Sequence, residues 1–232
     1  MTGGDHADDS PTTPGFSAVL DVYRQQQVGG GSVGFGDRIG VIVIDLQHLY
    51  TRGRASTGLG VVERTSTLLD AARTAGVPIA FARMGYDDDF QPGHDVWTMK
   101  CPGLVESRVG SEASELDPLL GRRPDEPLHT KRVPSALFDP DLREHFRASG
   151  VDTLVVAGTS TSGCVRATVV DGVSHGFRMV VARECVADRS APSEEAALFD
   201  ISTKYGDVVA LEAVLVELAH RDAGSSRREV SP

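Results

Sequence analysis

From Ile39 onward the chain repeats one alternation: a short apolar run, then a longer segment with apolar residues at helical spacing. Ile39–Leu46 (IGVIVIDL) is nearly continuous in β-branched residues, the pattern of a strand buried on both faces of a parallel sheet. Helical periodicity follows over Val61–Ala75 and stops at Gly76. Pro78–Arg83 reads as a second strand and Pro127–Lys131 as a weaker third. Pro140–Ser149 is a helix closed by Gly150, Thr153–Ala157 a strand, and Cys164–His175 a helix closed by Gly176. Phe177–Ala182 is a fifth strand, and Ser193–Lys204 a helix with Ser193 as its N-cap. Asp207–Ala210 is a short last strand, and a final helix reaches the neighbourhood of His220. This alternation predicts a doubly wound α/β fold: a three-layer α/β/α sandwich around a central, mainly parallel six-stranded sheet with right-handed crossovers.

Other segments break the rhythm. Residues 84–126 are rich in Gly, Pro and Asp and too long for a simple connection, which marks a functional insertion or an unstructured one. Ser17–Gln27 can form a short helix, and Gly29–Gly36 (GGGSVGFG) reads as a glycine-rich linker. With no lysine and no helix after it, that run is not a phosphate loop. The expected organisation is a disordered tail at 1–15, one domain at 16–220, and a polar tail at 221–232.

A length of 232 residues suits one sizeable domain. The formal net charge of −10 repels phosphate backbones, so nucleic acid is not an expected partner. No apolar run approaches the ~20 residues that span a bilayer, and Met1–Gly15 lacks the apolar stretch of a secretory signal. The expectation is therefore no membrane association and a cytoplasmic location. Three widely spaced cysteines, 101, 164 and 185, suggest neither a disulfide framework nor a structural zinc site.

In a doubly wound sheet, ligands sit beyond the carboxyl ends of the strands, so polar residues there stand out. Asp45 ends the first strand; alone it is equally a turn or capping aspartate. Lys131 ends the third, where a lysine could pair with a carboxylate and help polarise a thiol. Cys164 follows the small-residue turn Gly158–Gly163 at the start of a helix. A helix N-terminus favours a thiolate, and a turn with little bulk lets backbone N–H groups approach an oxyanion. The competing view of Cys164 is a buried structural cysteine. Spacing alone does not bring these three residues together.

Taken together, three motifs resemble the isochorismatase-like cysteine hydrolase superfamily. They are Asp45 after its apolar strand, Lys131 followed by Ser135-Ala136-Leu137-Phe138, and Gly158-Thr159-Ser160-Thr161-Ser162-Gly163-Cys164-Val165-Arg166. The chain is most similar to the N-carbamoylsarcosine amidohydrolase branch, which includes maleamate amidohydrolase-like enzymes, from about Val33 to Val216. The resemblance implies Cys164 as nucleophile, Asp45 as general base, and Lys131 as the cation that orients the pair and lowers the thiol pKa. It implies a cis peptide between Thr159 and Ser160, turning the Ser160 N–H toward the oxyanion beside that of Cys164. It implies that Arg189 binds an acid group of the substrate; a structural pair with Asp188 or Glu184 is the alternative. Trp97, in the insertion, is expected to shape the pocket, and Arg166 to be structural. No zinc-binding Asp-x-His pair is present, so His48, His94 and His129 are expected at the surface or in the pocket, with no metal and no cofactor. Cys101 and Cys185 are expected bystanders.

The implied activity is hydrolysis of the C–N bond of a small amide or N-carbamoyl compound, including carboxylate-bearing ones, through a thioester and with release of ammonia. The resemblance also implies a homodimer or homotetramer. The segment after Lys131 departs from the family's usual Phe-Phe-Gly-Thr, reading Leu137-Phe138-Asp139-Pro140, which leaves the substrate open. Rival readings are a vinyl-ether hydrolase of the isochorismate type, which would not need Cys164, and a non-catalytic binding member of the same fold.

Overall fold

A computed structural model describes residues 16–228, with side chains from 19 to 221. The expected tail at 1–15 and residues 229–232 lie outside the described residues. Six strands form one sheet: β1 (Ile39–Ile44), β2 (Ile79–Met84), β3 (Leu128–Lys131), β4 (Thr153–Thr159), β5 (Arg178–Ala187) and β6 (Asp207–Val209). Their order is β3-β2-β1-β4-β5-β6 and every neighbouring pair is parallel. The chain grows outward from β1 to β3, then returns to add β4 on the other side of β1. The switch point therefore lies between β1 and β4, where such sheets open a crevice at their carboxyl ends.

The apolar runs are explained by burial on two faces. All six residues of β1 are buried. Ile42 and Ile44 join Phe146, Leu154, Val156, Val169 and Leu198 on one side, while Val41 and Val43 join Leu68, Leu69, Val214 and Leu218 on the other. Fully burying each such aliphatic side chain contributes ~1.5–3 kcal/mol. Helices α3 (Gly60–Thr74) and α8 (Leu211–Arg228) cover the second face, and α5 (Pro140–Ala148), α6 (Arg166–Ser174) and α7 (Ala191–Asp200) the first. The remaining α-helices among the described residues are α1 (Phe16–Gln26), α2 (His48–Thr51) and α4 (Val96–Lys100). Among the described residues, no helix is long and apolar enough to cross a membrane.

Several boundaries differ from the sequence reading. The N-cap of α7 is Ser190, not Ser193, because Pro192 fits the first turn, where its missing N–H costs nothing. Both β4 and β5 run past their expected ends at Ala157 and Ala182, because an irregularity between Val156 and Gly158 lets pairing resume at Gly158–Val186 and Thr159–Ala187. The polar Arg183 and Glu184 fall in that interruption and hide the strand's continuation. The helix at Cys164 opens with a π-helical turn, Thr161–Val165, and regular α-helix starts only at Arg166. Backbone helix in α8 continues to Arg228, beyond His220, by adding hydrogen-bonded residues to a turn already packed on the sheet.

The glycine-rich stretch is fastened to the sheet edge: the Asp207 carboxylate accepts from Ser32 Oγ at 2.8 Å and from the backbone N–H of Gly34 at 2.7 Å. The insertion at 84–126 contains α4 and three 3₁₀ turns. Buried Gln47 ties it down, donating to Met84 O at 3.2 Å, Ser107 Oγ at 2.9 Å and Ala113 O at 3.1 Å, and accepting from Met84 N at 2.8 Å.

Candidate active site

Three adjacent strand ends carry the site. Asp45 directly follows β1 and its N–H donates to Ala82 O at 2.9 Å. Its φ of 54° lies in the left-handed region, a strained position for a side-chain-bearing residue and one that clusters at functional sites. Lys131 is the last residue of β3, paired in register with Met84 of β2. Cys164 lies in the π-helical turn after β4. Gly158, at φ 137°, lets β4 approach β1, since a Cβ there would overlap the Ile44 carbonyl oxygen. The peptide between Thr159 and Ser160 is cis, at the position the sequence motif implied.

Lys131 joins the three side chains. Its Nζ donates to Asp45 Oδ2 at 2.8 Å, to Cys164 Sγ at 3.3 Å and to Val133 O at 3.3 Å, and lies 3.1 Å from Met84 Sδ. Asp45 and Lys131 are buried and Cys164 is 9% exposed. Asp45 Oδ1 is buried without a conventional hydrogen-bond donor, and the Cys164 thiol is within reach of this carboxylate.

Burial dominates the electrostatics. It raises the Asp45 pKa above the ordinary carboxylate value even though the Lys131 cation opposes it. Burial also pushes the Cys164 thiol up to about 12, with Lys131 pulling it down and Asp45 pushing it further up. Lys131 stays cationic: burial disfavours its charge, but Asp45 and Cys164 outweigh that and raise its pKa. Burial thus favours the protonated thiol, against the thiolate that its place at a helix N-terminus suggested. Removing Cys164 from water disfavours its thiolate more than Lys131 favours it.

Trp97 stands at the site, with Lys131 Nζ 6.0 Å from its ring centroid. Arg189 is exposed, and its Nη1 donates to Ala55 O at 3.3 Å. Neither alternative partner pairs with its guanidinium: Asp188 Oδ2 accepts from Ser162, and Glu184 accepts from Leu211 N at 2.7 Å. The Arg189 charge is close enough to Tyr50 to lower that hydroxyl's pKa against a strong rise from burial. Arg166 pairs with Asp200 at 2.9 Å, away from the thiol. His48 faces Glu112 at 3.4 Å, His94 is exposed, and His129 lies 4.0 Å from Asp139, which also caps α5. Cys101 is exposed and Cys185 buried, both as free thiols.

Sequence reasoning missed Gln47, Tyr50, Met84 and Tyr86. Gln47 carried a readable signal, an amide two residues after Asp45 in an otherwise apolar stretch. Tyr86 lies two residues beyond β2, at a strand end, but was absorbed into the insertion. Nothing in the sequence marks Met84 or Tyr50 apart from any other core residue.

Comparison with known proteins bears on the family and the fold. The Isochorismatase domain family matches residues 40–213. Maleamate amidohydrolase of Pseudomonas putida is 37% identical over 199 residues, covering 84% of this chain and 93% of that protein. N-carbamoylsarcosine amidase of an Arthrobacter species is 30% identical over 208 residues, covering 86% of this chain and 78% of that one. A cysteine hydrolase from Pseudomonas syringae pv. phaseolicola shares the fold, with a TM-score of 0.74 at 24% identity over 79% of this chain and 93% of its own. A sheet of this order and a family match across most of the chain lead to one conclusion: this chain belongs to the isochorismatase family.

Proposed function

We propose that the chain is a cysteine amidohydrolase that cleaves the C–N bond of a small, carboxylate-bearing primary amide or ureido compound, releasing ammonia through a thioester. The observation that carries this reading is Lys131 Nζ, hydrogen-bonded at once to Asp45 and to Cys164. Asp45 takes the thiol proton, which its raised pKa equips it to hold, and the sulfur attacks the carbonyl carbon. Lys131 remains a cation and balances the charge that moves between carboxylate and sulfur. The oxyanion rests on the backbone N–H groups of Ser160 and Cys164 at the turn that follows the cis peptide. Asp45 returns the proton to the leaving nitrogen, and ammonia departs. Asp45 then deprotonates a water, which hydrolyses the thioester and frees the acid and the thiol.

The substrate class follows from two supports. The relatives are named for maleamate, N-carbamoylsarcosine and ureidoacrylate, each a carboxylate with a terminal carbonyl–NH₂ group. Arg189 offers a guanidinium that no protein carboxylate occupies among the described residues, and a bidentate fork suits an acid group. Maleamate is the first compound to try. The test is ammonia release from maleamate, N-carbamoylsarcosine, ureidoacrylate and nicotinamide by wild type and Cys164→Ala. Release that the substitution abolishes is expected; release that survives it would remove Cys164 from the chemistry.

A further inference from the structure

Around the thiol, Tyr86 carries a buried polar atom without a partner, as do Asp45 and Thr161. The Tyr86 side chain is fully buried, yet its hydroxyl has no hydrogen-bond partner. The tyrosine is held rigidly. Its N–H donates to Ser107 O at 2.9 Å, its carbonyl accepts from Val109 N at 2.9 Å, and its ring packs on Phe90 with centroids 4.8 Å apart. It clusters with Met84, Tyr50 and Trp97, and Met84 Sδ touches the Lys131 ammonium at 3.1 Å. Burial raises the pKa of the hydroxyl, and Asp95, Arg132 and the Cys164 sulfur are near enough to bear on it. Neither charged neighbour takes it up: Asp95 Oδ1 accepts from Thr98 N at 2.6 Å and Thr98 Oγ1 at 2.8 Å, and Arg132 pairs with Asp87. A buried hydroxyl without a partner is costly and calls for an explanation. A ligand oxygen in the site would supply one.

We propose that the Tyr86 hydroxyl is a specificity-determining group that donates a hydrogen bond to the substrate's carboxylate, at the end remote from the scissile amide. This rests on the amidohydrolase reading above. Tyr86 follows β2 and Arg189 follows β5, strands on opposite sides of the β1–β4 pair, and Arg189 bonds to Ala55 O. Two donors on different sides would fix both the position and the plane of one acid group. They would favour short half-amides over simple amides of the same length.

Tyr86→Phe removes the oxygen and leaves the ring packed on Phe90. Its kcat/KM for ammonia release is compared with wild type on maleamate and on (Z)-but-2-enamide, which keeps the chain and the amide but carries a methyl in place of the carboxylate. The expected loss is about 10- to 100-fold on maleamate, chiefly in KM, and less than about twofold on the butenamide. The melting temperature of the free enzyme should hold or rise, since the substitution deletes an unsatisfied buried group. Equal losses on both compounds would overturn the proposal, as would a clear drop in melting temperature, which would show that the hydroxyl bonds within the folded protein. A wild-type enzyme that releases ammonia from neither compound, but from nicotinamide, would leave the amidohydrolase reading standing and overturn the carboxylate role. Release from no amide at all would overturn both.

Discussion

Thr168 clamps the backbone of Cys164, the proposed nucleophile: its Oγ1 donates to the Cys164 carbonyl at 2.7 Å while accepting the Ala136 N–H at 2.9 Å. One buried hydroxyl thus links the first turn of α6, the cysteine, and the loop that follows Lys131. Thr168→Val keeps the shape and strands a buried N–H. A cost of about 1–3 kcal/mol in urea denaturation is expected, with kcat falling more than KM rises. Thr168→Ser, which retains the oxygen, should recover most of both. A valine variant of wild-type stability and rate would show that the clamp is idle.

The buried ion pair makes a statement about pH. In the proposed mechanism Asp45 must be ionised to accept the thiol proton, and burial raises its pKa. Activity therefore rises as pH climbs through that raised value and is lost below it. Lys131, whose pKa lies above the ordinary lysine value, keeps its charge across the neutral range. The acid limb of kcat/KM should fall clearly above the ordinary aspartate value of 3.8, with a plateau through neutral pH. A limb at the ordinary value would mean that Asp45 is not the titrating base.

Much of this was legible in advance, for a physical reason. A strand buried on both faces must be apolar throughout, so β1, β2 and β4 announce themselves, and their ends point to Asp45 and the Cys164 turn. Helix stops at Gly76, Gly150 and Gly176 are local signals, since all three have positive φ. What local pattern could not give was the convergence of residues 45, 131 and 164, which depends on β1 lying between β2 and β4. The state of the thiol was equally hidden. A helix end argues for a thiolate, but burial, which only the folded chain creates, raises the thiol's pKa. The insertion stayed opaque because its order comes from scattered long-range contacts, such as those of Gln47 with Ser107 and Ala113 and of Arg52 with Asp117, and not from periodicity.

Arg189 gives a prediction in substrate recognition. Its guanidinium holds only the Ala55 carbonyl among the described residues, so replacing it disturbs little of the fold. Arg189→Gln should raise KM for a carboxylate-bearing substrate about 10- to 100-fold, the range of a charge-assisted hydrogen bond. The same variant should leave the rate on an uncharged amide near wild type, and Arg189→Lys should restore only part of the loss, having the charge without the fork. Parallel loss on charged and uncharged substrates would assign Arg189 a structural part instead.

Gly158 sets how closely the two central strands meet, opposite Ile44 and one step before Asp45, the proposed general base. A methyl group at this position would overlap the Ile44 carbonyl oxygen, and φ at 137° adds a backbone penalty for any L side chain. Gly176 provides the matched control: it also has positive φ, at 84°, but a Cβ there meets nothing within 4 Å. Gly176→Ala should therefore cost only the backbone penalty, roughly 1–2 kcal/mol, and leave kcat unchanged. Gly158→Ala should cost about 1–3 kcal/mol more, because β1 and β4 must separate to admit the methyl. That separation moves Ile44 and with it Asp45, so kcat should fall out of proportion to the stability lost, measured at a temperature where both variants are fully folded. If both alanine variants keep wild-type kcat, the spacing between β1 and β4 does not set the distance from base to thiol.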